Sequence, residues 1–419
     1  MLWALTRQGV VAAQIKVFPM SELPSVTEAE RQIRARLPVF PGERVPLDAA
    51  AGRVLRQRVL AERDHPPFDR VMMDGIAIAL DPSRRSFVVA GRQMAGMAGQ
   101  VLADPAGCIE VTTGAMLPTG CDCVVPVEQT VREGDQVRLV DGWTPTARQF
   151  IHPRGSDCRE GDALLAPGVR LRAPELAVLA ANGVTEVEVA AVPKVAIIAT
   201  GDELAEVEQQ PLADGQIRRS NDRALAAALR DRGFVDVQLT RVPDDLTATT
   251  ARLAELLATC QVLVLSGGVS VGQRDFVPEA MRTLGVDKVL HRIAQRPGKP
   301  MWFGIGPQGQ VVFALPGNPV SALVCAVRYL LPALEQAMGV ATRSGERVVL
   351  AAPAQVSPTL TCFVPVRVHH DETGRALATP VPAPTSGDFS ALPHTDGVVE
   401  LAPSEHAAPA GTVATLYRW

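Results

Sequence analysis

The chain has 419 residues, a hydrophobic fraction of 47% and a formal net charge of −4. A chain of this length is expected to fold as several domains rather than one. The balanced charge and an aromatic fraction of only 4% argue against the basic, base-stacking surfaces of nucleic-acid-binding proteins. Nucleic acid is therefore not an expected partner.

The seven cysteines are scattered, and their odd number does not suit the disulfide framework of a secreted protein. Cys121 and Cys123 form the only close pair; they could bind a metal, but without a CxxC or HxxxH motif small buried thiols are the simpler interpretation. Residues 1–20 include an apolar stretch that Gln14 and Lys16 interrupt, too short to span a bilayer and without a signal-peptide cleavage pattern. We expect a cytoplasmic protein with a short N-terminal tail and no membrane partner.

The first predicted element is a helix over residues 25–37, in which Ser25 is the N-cap and Glu28 completes a capping box. Residues 49–64 combine a short helix with an extended segment, and two prolines at 66 and 67 end it. Between residues 84 and 140, short valine-rich segments alternate with Gly, Pro and Asp clusters. This texture is typical of a β-rich domain.

From residue 192 onwards, apolar strands alternate with amphipathic helices. The predicted strands are 194–199, 235–242, 262–266 and 311–317. The predicted helices are 221–233 with an Asn N-cap, 247–260, 275–285 and 319–339. Such alternation favours a mostly parallel, doubly wound sheet. After residue 343 the chain returns to short strands, which indicates a second β-module.

Three of these strands end in unusual loops, and in an open parallel sheet ligands bind at the carboxyl ends of the strands. The loop TGDEL (200–204) presents carboxylates, and the glycines of SGG (266–268) can direct backbone N–H groups at an anion. In LPGNPVS (315–321) a helix begins, with Asn318 as its cap, and a helix N-terminus favours phosphate. The sequence predicts a phosphate-bearing ligand here, although each loop alone could be an ordinary tight turn.

Two carboxylates, Glu203 and Asp275, follow strand ends of this sheet. They would repel a phosphate unless a metal intervened, and Mg²⁺ is usually bound by one or two carboxylates together with substrate phosphates. We therefore predict a Mg²⁺ site at Glu203 and Asp275. The alternative is that both compensate helix dipoles.

A fourth segment, RPGKPMWFG (296–304), carries two cations on a stiff loop, because Pro297 and Pro300 restrict the backbone. Arg296 and Lys299 are predicted to bind a small anion with little loss of entropy. A solvated basic turn is the alternative.

Loops of the N-terminal half offer further polar side chains. Asp69 and Asp74 lie in PPFDRVMMDGIAI, Thr113 in VTTGAMLPTGCD, and Asp157 in PRGSD. Each of them could instead be a turn residue that caps backbone groups.

Together the motifs resemble one family. FDRVMMDGIA, TTGAMLP, RGSD, TGDEL, SGGVSVGQRD, RPGKP and LPGNPVS occur in the order and at the spacing of the molybdopterin molybdotransferases, the MoeA and gephyrin E-domain family. The resemblance is good over roughly residues 25–340 and weak beyond. It implies a transferase of molybdenum cofactor biosynthesis that inserts molybdate into adenylylated molybdopterin, releases AMP and uses Mg²⁺.

The resemblance also implies an α/β multidomain protomer in an elongated homodimer, with a three-layer MoaB/Mog-like sheet and two smaller β-rich modules. The implied division is an N-terminal tail (1–24), a linker and dimerisation domain (25–65 and 141–178), an inserted β-rich domain (66–140), a molybdopterin-binding domain (179–340) and a C-terminal β-barrel-like domain (341–419). Other cofactor-pathway proteins and apo-molybdoenzymes are the implied protein partners.

Site residues follow by motif match. The implied catalytic positions are Asp69, Thr113, Asp157, Glu203, Asp245 and Asp275, the first three contributed across the dimer. The implied positions that bind the pterin nucleotide and the oxyanion are Ser266, Gly267, Gly268, Ser270, Gly272, Arg296, Lys299, Pro300, Pro316, Gly317, Asn318, Pro319 and Ser321. Among these, Arg296, Lys299 and Pro300 would face molybdate.

The chain departs from the family pattern in three places. The usual Asp-Asn-Ser-Ala-Met-Asp-Gly-Tyr segment is changed at residues 70, 71, 72 and 76, and Arg219 stands where Asp or Asn is usual. The C-terminal Ser-Ser-Leu…Asn-Gly pattern appears only as FSALPHTDG (389–397), and an Arg expected shortly before Phe363 is missing. Two other functions therefore stay open: a non-catalytic molybdopterin-binding or scaffold paralogue, and a pterin adenylyltransferase.

Overall fold

The structure is a computed structural model that describes residues 23–269, 276–341, 345–382, 385 and 387–419. It forms two compact units: the first contains the described residues up to 43, residues 52–54 and those from 190 onwards, and the second contains residues 44–51 and 55–189. The helices are α1 (Val26–Arg36), α2 (Ala173–Ala181), α3 (Asn221–Asp231), α4 (Leu246–Thr259), α5 (Val277–Thr283), α6 (Pro319–Cys325) and α7 (Leu331–Ala337), with a π-helical segment (Ala326–Leu330) and 3₁₀ turns at Leu47–Ala49, Val127–Gln129 and Leu392–His394.

The strands up to residue 190 are β1 (Gly42–Pro46), β2 (Val59–Leu60), β3 (Arg70–Val71), β4 (Gly75–Ile78), β5 (Ser86–Gln93), β6 (Gly107–Val111), β7 (Cys123–Pro126), β8 (Thr130–Glu133), β9 (Gln136–Leu139), β10 (Ile151–His152), β11 (Ala163–Leu165) and β12 (Glu186–Ala190). The later strands are β13 (Val195–Thr200), β14 (Leu204–Ala205), β15 (Ile217–Arg218), β16 (Val237–Val242), β17 (Val262–Ser266), β18 (Asp287–His291), β19 (Gln295–Arg296), β20 (Trp302–Ile305), β21 (Val311–Leu315), β22 (Glu346–Leu350), β23 (Thr361–His370), β24 (Ala376–Pro380), β25 (Gly397–Leu401) and β26 (Val413–Arg418).

The first unit is built around a six-stranded sheet with the order β16-β13-β17-β21-β20-β18. The first four strands in this order are parallel, and β20 pairs antiparallel with both β21 and β18. The predicted mostly parallel sheet is confirmed. Strands β18 and β20 were not predicted, because β18 is short and begins with charged residues that hide its apolar pattern.

Side chains of the central strands alternate between two apolar layers, as strand geometry requires. Ile197 and Val264 pack with residues of α1, α3 and α6 on one face. Ile198 and Leu265 pack with residues of α4 and α5 on the other. The sheet is therefore the middle of three layers, which is the predicted doubly wound architecture.

The longest helical stretch, Pro319–Ala337, packs in the first of these layers. By length and composition it is the one helix of the described chain that could cross a membrane, but most of it is buried inside the protein. The same apolar content is expected of a core helix.

The C-terminal segment forms a closed β-barrel. The order β23-β24-β22-β26-β25 closes on itself, because β25 pairs with both β26 and β23. Closure removes the exposed strand edges that would otherwise pair with other chains. The predicted barrel-like module is confirmed.

The second unit contains a six-stranded sheet with the order β7-β4-β6-β5-β9-β8. Cys121 and Cys123 belong to two different apolar clusters of this unit. Burial raises the pKa of their thiols to about 12 and about 11. Neutral buried thiols are poor metal ligands, so the structure supports the simpler interpretation of this pair.

Two predicted helix caps differ in detail from the structure. Ser25 Oγ accepts from the Glu28 N–H at 3.2 Å as predicted, but the Glu28 carboxylate binds Arg31 and Gln32, so the capping box is only half formed. The predicted Asn cap of α3 was wrong: Ser220 holds the cap position, and Asn221 is the first helical residue. Its side chain is used elsewhere.

Candidate active site

The ends of β13, β17 and β21 lie side by side at the carboxyl edge of the sheet. The strands are parallel and in register, with Ala199 opposite Ser266 and Ser266 opposite Leu315. The loops that follow are close-packed: a Cβ built on Gly317 would lie 3.7 Å from the Gly267 Cα. The structure thus brings together the three loops predicted to bind a phosphate-bearing ligand.

Gly267 is required here by a close backbone approach. It has φ +99°, and a Cβ at this position would lie 2.6 Å from Thr200 Oγ1 and 2.8 Å from the Thr200 carbonyl oxygen. Its N–H donates to the Leu315 carbonyl at 3.0 Å. This N–H therefore already has a partner within the sheet edge, Gly267 contributes the shape of the loop, and its role in binding the ligand stays a prediction.

Asn221 ties two of these loops together, and the sequence analysis missed it. Its Nδ2 donates to Ser266 Oγ at 2.9 Å and to the Gly317 carbonyl at 2.6 Å. Ser266 is buried, so its hydroxyl is part of this clamp and not an exposed ligand contact. The available signal was a polar residue at the start of an apolar helix, which the sequence analysis assigned only as a cap.

Glu203 lies in the turn that follows β13, with its side chain exposed. The turn is held from two sides: Ile217 N–H donates to the Glu203 carbonyl at 2.9 Å, and Arg241 Nη2 donates to the Gly201 and Asp202 carbonyls at 3.2 and 3.4 Å. The Glu203 carboxylate makes no hydrogen bond to another residue of the described chain. The turn is thus fixed by hydrogen bonds to its backbone carbonyls, and it exposes the Glu203 carboxylate to solvent at the sheet edge.

Asp245 has a structural role that the family resemblance did not indicate. Its Oδ1 accepts from the Ala248 N–H at 2.7 Å, which makes it the N-cap of α4. The preceding Asp244 and Asp202 exchange hydrogen bonds between backbone N–H groups and carboxylates at 3.2 and 3.4 Å. The catalytic role of Asp245 stays a prediction. Ser270, Gly272 and Asp275 lie outside the described residues.

The start of the α6 helix differs from its predicted role in two respects. Asn318 occupies the N-cap position and Pro319 the first turn, but the Asn318 side chain accepts no helix N–H. Pro316 and Ser321 are buried. Burial leaves their side chains little exposed surface, and the ligand-binding role that the motif match implies for both stays a prediction.

The cationic segment begins as a strand rather than as a free loop. Gln295 and Arg296 form β19, which pairs with Thr361 and Cys362 of β23 in the barrel. The Arg296 side chain is exposed, while Lys299 and Pro300 are half-buried. The barrel therefore contributes to the position of both predicted cations.

In the second unit, Asp69 is held as an anion by two donors. Its Oδ2 accepts from Arg148 Nη1 at 2.7 Å, and its Oδ1 accepts from the Arg154 N–H at 2.9 Å. The hydrogen bond from Arg148 lowers the pKa of Asp69 below its ordinary value, against a smaller opposing effect of burial. Asp69 therefore stays charged at neutral pH.

Thr113 is bound to the other carboxylate of the same motif. Its N–H and its Oγ1 both donate to Asp74 Oδ1, at 2.6 and 2.8 Å. The N–H bond, followed by the hydroxyl bond, lowers the pKa of Asp74. Asp74 thus fixes the loop that presents Thr113. The motif alone did not show whether Asp74 holds this loop or contacts a ligand itself.

Asp157 is linked to Arg70, one of the positions at which the chain departs from the family pattern that it resembles. His152 Nε2 lies 2.7 Å from Asp157 Oδ1, and Arg70 Nη2 lies 2.8 Å from His152 Nδ1. Because a guanidinium can only donate, Nδ1 accepts and Nε2 carries the proton. Arg70 therefore selects the tautomer of His152 that donates to Asp157.

Comparison with known proteins places the chain in a family. A model of the MoeA N-terminal region (domain I and II) matches residues 24–183, a probable molybdopterin binding domain matches 196–336, and the MoeA C-terminal region (domain IV) matches 347–419. The chain belongs to the MoeA family. The C-terminal match includes the module whose motifs depart most from the usual pattern.

Curated relatives of the MoeA family support the same conclusion. A Synechocystis protein named molybdopterin molybdenumtransferase is 38% identical over 402 residues, which cover 94% of this chain and all of the relative. One of the same name from Bacillus subtilis is 31% identical over 373 residues, covering 86% and 85%. The crystal structure of the molybdopterin biosynthesis MoeA protein from Pyrococcus horikoshii OT3 superposes with a TM-score of 0.79 at 27% identity, covering 94% of this chain and 100% of that one. The predicted family, its transferase class and its place in molybdenum cofactor biosynthesis are confirmed.

Proposed function

We propose that this MoeA-family chain inserts molybdate into adenylylated molybdopterin and releases AMP. The observation that carries the proposal is the set of three strand-end loops of β13, β17 and β21 at one sheet edge, of which Asn221 fastens the last two together. Ligands of open parallel sheets bind at such an edge. The curated relatives named for this transfer support the choice of substrate.

The phosphates of the pterin nucleotide would rest on the backbone after β17. The N–H of Gly267 is already used by Leu315, so backbone donors begin at Gly268, which has φ +70°. Successive N–H groups in such a turn form an anion-binding concavity. Gly317 borders it without a side chain, so the ligand can approach the main chain closely.

Molybdate would be bound by Arg296, Lys299 and Pro300. The strand pairing of Arg296 with Cys362, and the hydrogen bond from the Ile293 N–H to the Lys299 carbonyl at 2.9 Å, place both cations on supported backbone. A site that is ordered before binding loses little conformational entropy when a small dianion enters.

Mg²⁺ would be held by Glu203 and Asp275. Glu203 fits this role, because its exposed carboxylate makes no hydrogen bond within the described chain, and oxygen ligands suit Mg²⁺. In the described ranges no cluster of three or more His, Cys, Asp and Glu side chains is found, so substrate phosphates and water would complete the shell. Bound there, the cation would offset the negative charge of the phosphates.

A homodimer would complete the site. Asp69, Thr113 and Asp157 belong to the second unit, whereas the strand-end loops belong to the first. The family motif match supports their contribution from across a two-fold axis. We further propose that the enzyme works in the cytoplasm with other cofactor-pathway proteins and apo-molybdoenzymes.

The test is release of AMP from adenylylated molybdopterin by the purified protein, with and without molybdate. The proposal expects release only when molybdate is present. Release without molybdate would instead indicate a nucleotide-handling activity, and binding of the pterin nucleotide without any release would indicate a scaffold.

A further inference from the structure

A buried hydrogen-bonded chain lies beneath the loop that carries Arg296 and Lys299. Gln295, which is 0% exposed, donates from Nε2 to the Pro297 carbonyl at 3.1 Å and accepts at Oε1 from the Tyr329 hydroxyl. An amide NH₂ group can only donate and its oxygen can only accept. The Pro297 carbonyl can only accept, so it turns the NH₂ end of the Gln295 amide towards the loop, and the Tyr329 hydroxyl donates to the oxygen at the other end.

The loop backbone sits directly on this amide and on Cys325. Gly298 has φ +95°, and a Cβ there would lie 2.6 Å from both Cys325 Sγ and Gln295 Nε2. Cys325 Sγ also donates to the Gly298 carbonyl at 3.6 Å. Burial raises the pKa of Cys325 and of Tyr329 far above their ordinary values, so both remain protonated donors. Gln295 thus holds the Pro297 carbonyl, and Cys325 holds the Gly298 carbonyl.

Tyr329 is itself anchored by a buried cation. The guanidinium of Arg328 lies 5.1 Å from the ring centres of both Tyr329 and Tyr417. It forms ion pairs with Glu30 of α1 at 2.7 Å and with Glu400 of β25 at 2.9 Å. Arg328 and Tyr329 are neighbours in the π-helical segment. Arg328 contacts the N-terminal helix and the barrel, and Tyr329 contacts Gln295 beneath the loop.

We propose that Gln295, whose amide oxygen is held by the Tyr329 hydroxyl, is a positioning residue that sets the geometry of Arg296 and Lys299 and so the affinity for the oxyanion. This rests on the proposed function of the loop as the molybdate site. Neither residue touches the oxyanion; the effect passes through the Pro297 and Gly298 carbonyls.

Tyr329→Phe tests the proposal, because it removes one hydroxyl and leaves the Gln295 oxygen without its buried donor. The matched control is Tyr417→Phe, which removes a hydroxyl from the same cluster, bonded at 3.0 Å to Glu400 and not to Gln295. We expect Tyr329→Phe to raise the KM for molybdate about 10-fold, the scale of one lost buried hydrogen bond. The Kd for the pterin nucleotide should stay within about twofold, and Tyr417→Phe should leave both unchanged.

Cys325→Ala is the second variant, because it removes the donor to Gly298 without touching Tyr329. It should shift the molybdate KM in the same direction, and it decides the question if Tyr329→Phe does not fold. The proposal is overturned if Tyr329→Phe leaves the KM unchanged, if Tyr417→Phe raises it equally, or if nucleotide binding falls in parallel. A wild-type protein that releases no AMP with molybdate would refute the proposed function instead, before any variant is compared.

Discussion

Asn221 donates to Ser266 Oγ at 2.9 Å, and this bond fastens the first turn of α3 to the end of β17. The same amide nitrogen reaches the Gly317 carbonyl. Asn221→Ala should therefore release both loops at once and weaken binding of the pterin nucleotide about 10-fold, or ~1.4 kcal/mol. Equilibrium binding of the nucleotide to the intact protein measures this. An unchanged Kd would show that the clamp does not shape the ligand surface.

Substitution by alanine should have different effects at the two glycines of this edge, Gly267 and Gly317. Gly267→Ala would force a Cβ to within 2.6 Å of Thr200 Oγ1 at a positive φ, whereas Gly317→Ala would make only an ordinary contact of 3.7 Å. We expect Gly267→Ala to lower the free energy of unfolding by ~2 kcal/mol or more. Gly317→Ala should leave stability nearly unchanged and weaken nucleotide binding, because its methyl group occupies space above the loop. Denaturant unfolding and nucleotide titration separate the two effects.

Glu203→Gln should raise the Mg²⁺ concentration needed for half-maximal AMP release by at least about 10-fold, since an amide oxygen replaces an anionic ligand. Glu208→Gln is the matched control: the residue is exposed in the segment that follows the same strand, and the change in charge is identical. If both variants need the same Mg²⁺ concentration for half-maximal AMP release, Glu203 is not a ligand of the metal. Circular dichroism should show both proteins folded.

The proposed dimer predicts complementation between two inactive proteins. If one cleft uses Glu203 of one subunit and Asp157 of the other, a mixture of Glu203→Gln and Asp157→Asn protomers contains hybrids with one intact cleft. Co-refolded mixtures should recover roughly a quarter of wild-type activity, because half of the dimers are hybrid and half of their clefts are intact. Each variant refolded alone provides the baseline. A wild-type protein that sediments as a monomer and still turns over would contradict the shared cleft.

The buried ion pairs of Arg328 predict a pH-dependent loss of stability. Although burial opposes it, the charge of Arg328 contributes to holding the pKa of Glu30 below its ordinary value. In the wild type this stabilisation is present above the ordinary carboxylate pKa and is lost as the pH falls through the lowered one. Arg328→Met should therefore cost ~3 kcal/mol at pH 7, because Glu400 loses its cationic partner and Glu30 keeps only its ion pair with Arg34, and the difference from wild type should narrow towards pH 4.

Removing all the charges together provides the control for that experiment. Arg328→Met combined with Glu30→Gln and Glu400→Gln removes the buried guanidinium together with both carboxylates, and leaves only Arg34, whose side chain is 36% exposed, without its ion pair. Most of the stability lost at pH 7 should return, and the extra pH dependence should vanish. If the triple variant is as unstable as the single one, packing by the Arg328 side chain matters more than its charge.

Local patterns were sufficient for the elements that create the sheet edge. Strand β17 was predicted over residues 262–266, which is the range that the structure shows. A short apolar segment that ends in Ser-Gly-Gly is typical of a buried strand that stops at a turn. The loops after β13 and β21 were located in the same way. Their meeting at one edge followed from the parallel arrangement, which the alternation of strands and helices implies.

Sequence alone determined the layered fold and the positions of the loops, because periodicity and turn residues act over a few neighbours, and the order and spacing of the motifs carried the resemblance to the family. Only the tertiary structure decided which polar groups remain available. It assigns the Gly267 N–H to Leu315 and Asp245 to a helix cap, and it joins Glu30, Arg328 and Glu400 across almost the whole chain. Buried donors and charges must find partners wherever the fold brings them, and residues that are hundreds of positions apart share no local pattern from which their pairing could be predicted.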